Sequence, residues 1–143
     1  MDDKRKKQMA IMVDAVQPSC DQKIIAAMTC SHAGSMGSLL VSKFLSGGGG
    51  LSKTSKLPNP VFIAVGESTV YAFKYVPRGF KFKIKKEVVR WSKDEITVTT
   101  EMSRAMATFV ISTNSGENYP LEVTTVMGAK ELVELFLDAL GGS

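Results

Sequence analysis

The sequence predicts an α+β fold that is mainly β: a curled antiparallel sheet or barrel of six to seven strands, capped by a C-terminal helix and preceded by a helical segment. Three observations predict it. The apolar residues repeat at about 3.6 from Met9 to Val16, at about 2 from Val61 to Val123, and at about 3.6 again from Ala129 to Leu140. The β-rich runs are short and are separated by turn residues, which joins neighbours as hairpins. One amphipathic helix follows the last run and is the natural cover for an open end of the sheet. With 143 residues the chain buries roughly 68% of its unfolded surface, enough for a core without disulfides or a structural metal.

The first helix rests on Met9, Met12, Val13 and Val16, which share one face, and Pro18 stops it. Ser19 and Gln22 match the S-x-x-Q capping box, which predicts a second helix beginning near Cys20. A third short helix is expected over Ser38 to Leu45, before the four glycines Gly47 to Gly50 end regular structure. The expected organisation is therefore a helical segment over 1–46, a Gly/Ser/Lys/Pro linker over 47–60, and the barrel with its helix over 61–143.

Within the barrel, Val61 to Val65 and Val70 to Tyr75 flank Gly66, Glu67 and Ser68 as a hairpin. Ile96, Val98, Thr100 and Met102 alternate with polar residues; Ala107, Phe109 and Ile111 repeat the pattern, and Asn114 to Gly116 turn the chain into Tyr119, Leu121 and Val123. The stretch from Pro77 to Trp91 changes phase. Phe80, Phe82 and Ile84 are apolar at even positions, whereas Val89 and Trp91 are odd, so a bulge or break is expected near Lys85 to Glu87. The expected core is Ile63, Val65, Tyr71, Phe73, Trp91, Ile96, Val98, Phe109, Ile111, Leu121, Val123, Leu132, Phe136 and Leu140.

The segments FIAVGESTVYAFKY, EVVRWSKDEITV, ATFVISTNSGENYPLEV and AKELVELFLDAL carry a resemblance over about residues 57 to 141. They resemble the bacterial branch of the pleckstrin-homology-like (PH-like) domains and, more closely, uncharacterised actinobacterial proteins. The resemblance implies an opening hairpin, an Arg-Trp strand leading into the sheet, and a closing hairpin with a capping helix. Some members of that superfamily bind lipid headgroup phosphates through basic side chains on an early hairpin, and others bind proteins. The spaced lysine and arginine signature of the phosphoinositide binders has no position-by-position match here.

Charge is unevenly spread. Residues 1 to 50 carry +2, residues 51 to 90 carry +7 and residues 91 to 143 carry −5. Lys74, Arg78, Lys81, Lys83, Lys85, Lys86 and Arg90 fall within 17 positions, and Lys81, Lys83 and Lys85 are expected on one side of one strand. They form the candidate site for an anionic partner. The other reading is that lysines on an exposed strand only prevent edge pairing. Stacking of nucleic-acid bases on Phe80, Phe82 and Trp91 is disfavoured, since alternation sends the phenylalanines to the face opposite the lysines.

No catalytic site, metal site or cofactor is expected. Gly47 to Thr54 misses a phosphate-binding loop by one glycine and lacks the following helix. Cys20, Cys30 and His32 match no common zinc framework, and paired carboxylates sit at solvated positions. The purely polar start, Met1 to Lys7, has no signal-peptide pattern, so the expected location is cytoplasmic with peripheral membrane attachment as a variant. The sequence thus points to a non-enzymatic binding or scaffold protein that recognises an anionic lipid or acidic protein surface. The alternative is a self-associating structural protein, its copies joined through the N-terminal helices and its lysines serving solubility.

Overall fold

The computed structural model describes residues 3–33, 57–79, 81–103, 105–126 and 129–141. Helix α1 (Asp3–Val16) is followed by strands β1 (Ile24–His32), β2 (Val61–Gly66), β3 (Thr69–Arg78), β4 (Lys81–Ser92), β5 (Ile96–Met102), β6 (Met106–Thr113) and β7 (Asn118–Thr124), then by helix α2 (Lys130–Leu140). Among the described residues the strands form one antiparallel sheet in the order β4-β3-β2-β1-β7-β6-β5. The fold is mainly β with a helix at each end, as expected.

The expected second helix is instead strand β1, at the centre of the sheet. The physical reason lies in Ile24 to Cys30. Ala26 and Ala27 are both fully buried because both faces of this strand are covered, so the run shows no alternation. Nor does Gln22 cap a helix: it donates to the Ser68 hydroxyl at 2.7 Å and the Thr69 hydroxyl at 3.0 Å, and accepts from Ser68 N–H at 3.1 Å. Gln17 accepts from Ile24 N–H at 2.8 Å. Gln22 thus fastens the entry of β1 to the β2–β3 turn, and Gln17 holds that entry through Gln22 C=O and Ile24 N–H. The expected helix over Ser38 to Leu45 and the glycine run lie outside the described residues.

Residues directly opposite on paired strands share a face. One face of the β1–β4 half carries Ala26, Met28, Ile63, Val65, Val70, Ala72, Val89 and Trp91, and looks into the barrel. There Trp91 meets Tyr119 at 5.4 Å between ring centres, and Phe109 meets Phe136 of α2 edge to face at 5.9 Å. Leu132, Val133, Phe136, Leu137 and Leu140 are the buried stripe of α2, and Gly141 closes that helix with φ 94°, donating to Asp138 C=O.

The opposite face carries Ala27, Phe62, Ala64, Tyr71, Phe73, Tyr75, Ile84 and Phe82. Helix α1 packs over β1 and β4 here with Met9, Met12 and Val16 buried, and Met9 Sδ lies 3.4 Å from Ala27 N. All six residues of β2 are therefore buried. Tyr71 and Phe73 are buried, as expected for the core, and belong to this second layer under α1. Ile96, also expected in the core, is only half-buried at the start of β5, which is an edge strand.

The bulge expected near Lys85 to Glu87 is present, and it is double. Pairing runs Ala72 to Val89, Phe73 to Glu87 and Tyr75 to Ile84, so β4 holds one extra residue at each of two steps. Two one-residue bulges cancel in phase. The apolar side chains change parity along β4 for a different reason: Val89 and Trp91 face the barrel, while Phe82 and Ile84 face the side that α1 covers.

Candidate functional site: the basic face of the β3–β4 ribbon

Strand β2 pairs with β3 from Val70 to Phe73, whereas β4 follows β3 out to Arg78. Beyond Phe73 the two strands thus run on as a two-stranded ribbon, turned at Gly79 with φ 63°, a conformation that favours glycine. One side of the ribbon is anchored. Tyr75 and Phe82 form an edge-to-face triangle with Phe62, at 5.6 Å, 5.6 Å and 5.9 Å between ring centres. Alternation then sends the other side chains to solvent.

That second side is cationic. Val76 pairs with Lys83 and Arg78 with Lys81, which puts Lys74, Arg78, Lys81 and Lys83 on one face, all exposed. Lys85 enters the first bulged step and still joins them. Its ammonium pKa is lowered from the ordinary 10.5, first by the positive charge of Lys83, then by loss of hydration, then by Lys83 again and by Arg78 and Lys74. Among the described residues no carboxylate forms an ion pair with any of these five, or with Lys86, which lies exposed in the bulged stretch.

Arg90 stands apart from the other six. It projects on the face under α1, opposite Tyr71, and its guanidinium is held by Glu87 at 2.7 Å and 2.8 Å and by Asp21 at 3.1 Å. These carboxylates, Glu87 first, hold its pKa above the ordinary 12.5. Asp21 also accepts from the Tyr71 hydroxyl, and that bond, followed by the one from Arg90, lowers its own pKa from 3.8. Burial, then Asp21, pushes the Tyr71 hydroxyl up to about 12. Neighbouring Cys20 is pushed up to about 11, mainly by burial and then by Glu87 and Asp21, and Cys30 is raised by burial alone; both are free thiols and poor nucleophiles at neutral pH. Sequence spacing alone could not separate Arg90 from the lysines. The visible signal was Glu87 three residues before it.

The aromatic residues considered for base stacking are engaged elsewhere. Trp91 is 7% exposed inside the barrel and Phe82 is half-buried against Phe62; Phe80 lies outside the described residues. Among the described residues no three metal-ligating side chains converge, and no helix is long and apolar enough to cross a membrane. Two buried side-chain atoms, His32 Nε2 and Glu122 Oε2, have no hydrogen-bond partner among the described residues.

No family model matches the chain, and no curated protein matches it. Solved structures of Vav1 are similar to it. Autoinhibited Vav1 aligns with TM-score 0.47 and 14% identity over 96% of this chain and 24% of that one. Vav1 inhibited by an allosteric inhibitor aligns with TM-score 0.47 and 12% identity over 96% and 34%, and the apo activated truncation of Vav1 with TM-score 0.46 and 13% identity over 96% and 34%.

Proposed function

We propose that the chain is a non-enzymatic binding or scaffold protein whose β3–β4 ribbon attaches it to an anionic membrane surface. The observation that supports this reading best is the mutual crowding of Lys74, Arg78, Lys83 and Lys85 on a face with no neutralising carboxylate among the described residues. Such crowding opposes folding and is relieved by an anion. A basic side chain near an anionic bilayer contributes about 1 kcal/mol, so a cluster gives modest, reversible attachment. A specific observation favours a second reading: β4 is an edge strand, and its lysines and two bulges also block edge-to-edge pairing in a protein that uses other surfaces.

Vesicle co-sedimentation separates the two. Expected is binding to anionic but not neutral vesicles, weakened at physiological salt and lost on Lys74/Lys83/Lys85→Glu. Equal sedimentation with neutral vesicles, or none with either, overturns membrane attachment; salt-sensitive capture by an acidic protein surface instead would keep the ribbon and change its partner.

A further inference from the structure

We propose that the groove bordered by α1, the ribbon tip and α2 takes the single acyl chain of an anionic amphiphile whose head group meets Lys81 at the ribbon tip. This rests on the membrane reading above and adds a chain-binding site to it. The groove has a volume of about 510 Å³, within the usual range for small-molecule sites, and Ile11, Met12, Met28, Phe82, Val126 and Leu132 supply its apolar lining. Ile11 and Val126 are 40% and 44% exposed, and these two large apolar side chains from different elements border the same groove. Their exposure is what a methylene chain laid between them would remove from water.

The head-group end follows from the ribbon. Gly79, at its tip, borders the groove, and an adjoining hollow brings Lys81 beside Ile11 and Phe82, with Asp14 as the one carboxylate there. Arg5 lines the groove from α1 with its guanidinium on Gln8 Oε1 at 2.7 Å, and Gln8, Thr29 and Thr124 are its other polar lining groups. No acidic residue lines the groove itself among the described residues. An apolar trough ending at cations matches an apolar chain ending in an anion, which commits the occupant to a lysophospholipid-like or alkyl-phosphate-like molecule.

The test is calorimetric titration with a homologous series from butyl to decyl phosphate, below micelle formation, with the matching alcohols as neutral controls. Expected is affinity rising about fourfold per methylene, the ratio given by ~0.8 kcal/mol per buried CH₂, and much weaker binding of the alcohols. Ile11→Glu and Val126→Glu, at exposed positions that tolerate charge without unfolding, should flatten the chain-length dependence. Affinity independent of chain length, or a dependence unchanged in both variants, overturns the groove. In that case vesicle binding that still needs Lys74, Lys83 and Lys85 leaves the membrane reading standing. Loss of vesicle binding together with failure of every phosphate overturns both.

Discussion

The Arg90 guanidinium lies over the Tyr71 ring, 4.9 Å from its centre, while both side chains bond the same Asp21 carboxylate. Asp21 sits between α1 and β1, and Tyr71 and Arg90 sit on β3 and β4, so three side chains pin the end of the helical entry to the sheet. The cation over the ring and the shared carboxylate reinforce each other, since each fixes the geometry that the other needs.

The first prediction concerns acid. The Asp21 pKa in the folded protein is below its ordinary 3.8, so its stabilising contribution is present above 3.8 and is lost as the pH falls through the folded value. Asp21→Asn should unfold at lower denaturant than wild type at neutral pH. Denaturant midpoints followed from about pH 7 to about pH 2 should show the two proteins converging at the acid end. A constant gap across that range would contradict the shift.

The second concerns Arg90 as distinct from the lysines. Arg90→Gln should lower the thermal midpoint while leaving attachment to anionic vesicles unchanged, because its charge is committed to Glu87 and Asp21 on the other face. Reduced vesicle binding by a folded Arg90→Gln would place it in the site.

Lys85 should show the opposite balance. Its depressed pKa means that the charged form is disfavoured in the folded protein, so its positive charge opposes folding at neutral pH and stops doing so as the pH rises toward 10.5. Lys85→Gln should raise the thermal midpoint slightly and lower vesicle partitioning by about fivefold. Both readouts moving downward would mean that Lys85 has a structural role.

Phe136→Ala should cost roughly 3–5 kcal/mol, through lost transfer energy and the cavity left against Phe109. Chemical denaturation measures it directly, and an unchanged midpoint would show that α2 does not close the barrel.

How much of this was legible depended on how many faces each strand buries. Strand β5 shows one patterned face, β6 and β7 bury both but keep alternating large apolar residues between clear turns, and α2 has one apolar stripe, so periodicity found them. The run Val61 to Val65 was legible as a strand, but its second buried layer was not, because the cover, α1, is remote in sequence. Burial of both faces also hid β1. With Ala26 and Ala27 on opposite faces and both buried, neither period appears, and the Ser19 to Gln22 pattern then favoured a helix. The basic cluster was visible as composition; its division between a solvent face and the Arg90 side required the register.

The paired bulges in β4 give the ribbon slack in chain length. Removing Lys86 alone would leave Lys85 opposite Lys74, with Glu87 still paired to Phe73 and Ile84 to Tyr75, so Lys81, Lys83 and Phe82 keep their faces and only the bulge opposite Ala72 and Phe73 remains. Removing Lys86 and Val88 together would make the pairing with β3 continuous and the ribbon straighter. Up to two single deletions here should therefore be absorbed, whereas a third would shift the register and turn Lys81 and Lys83 toward α1, a limit that a length-variant library read out by folding would reveal.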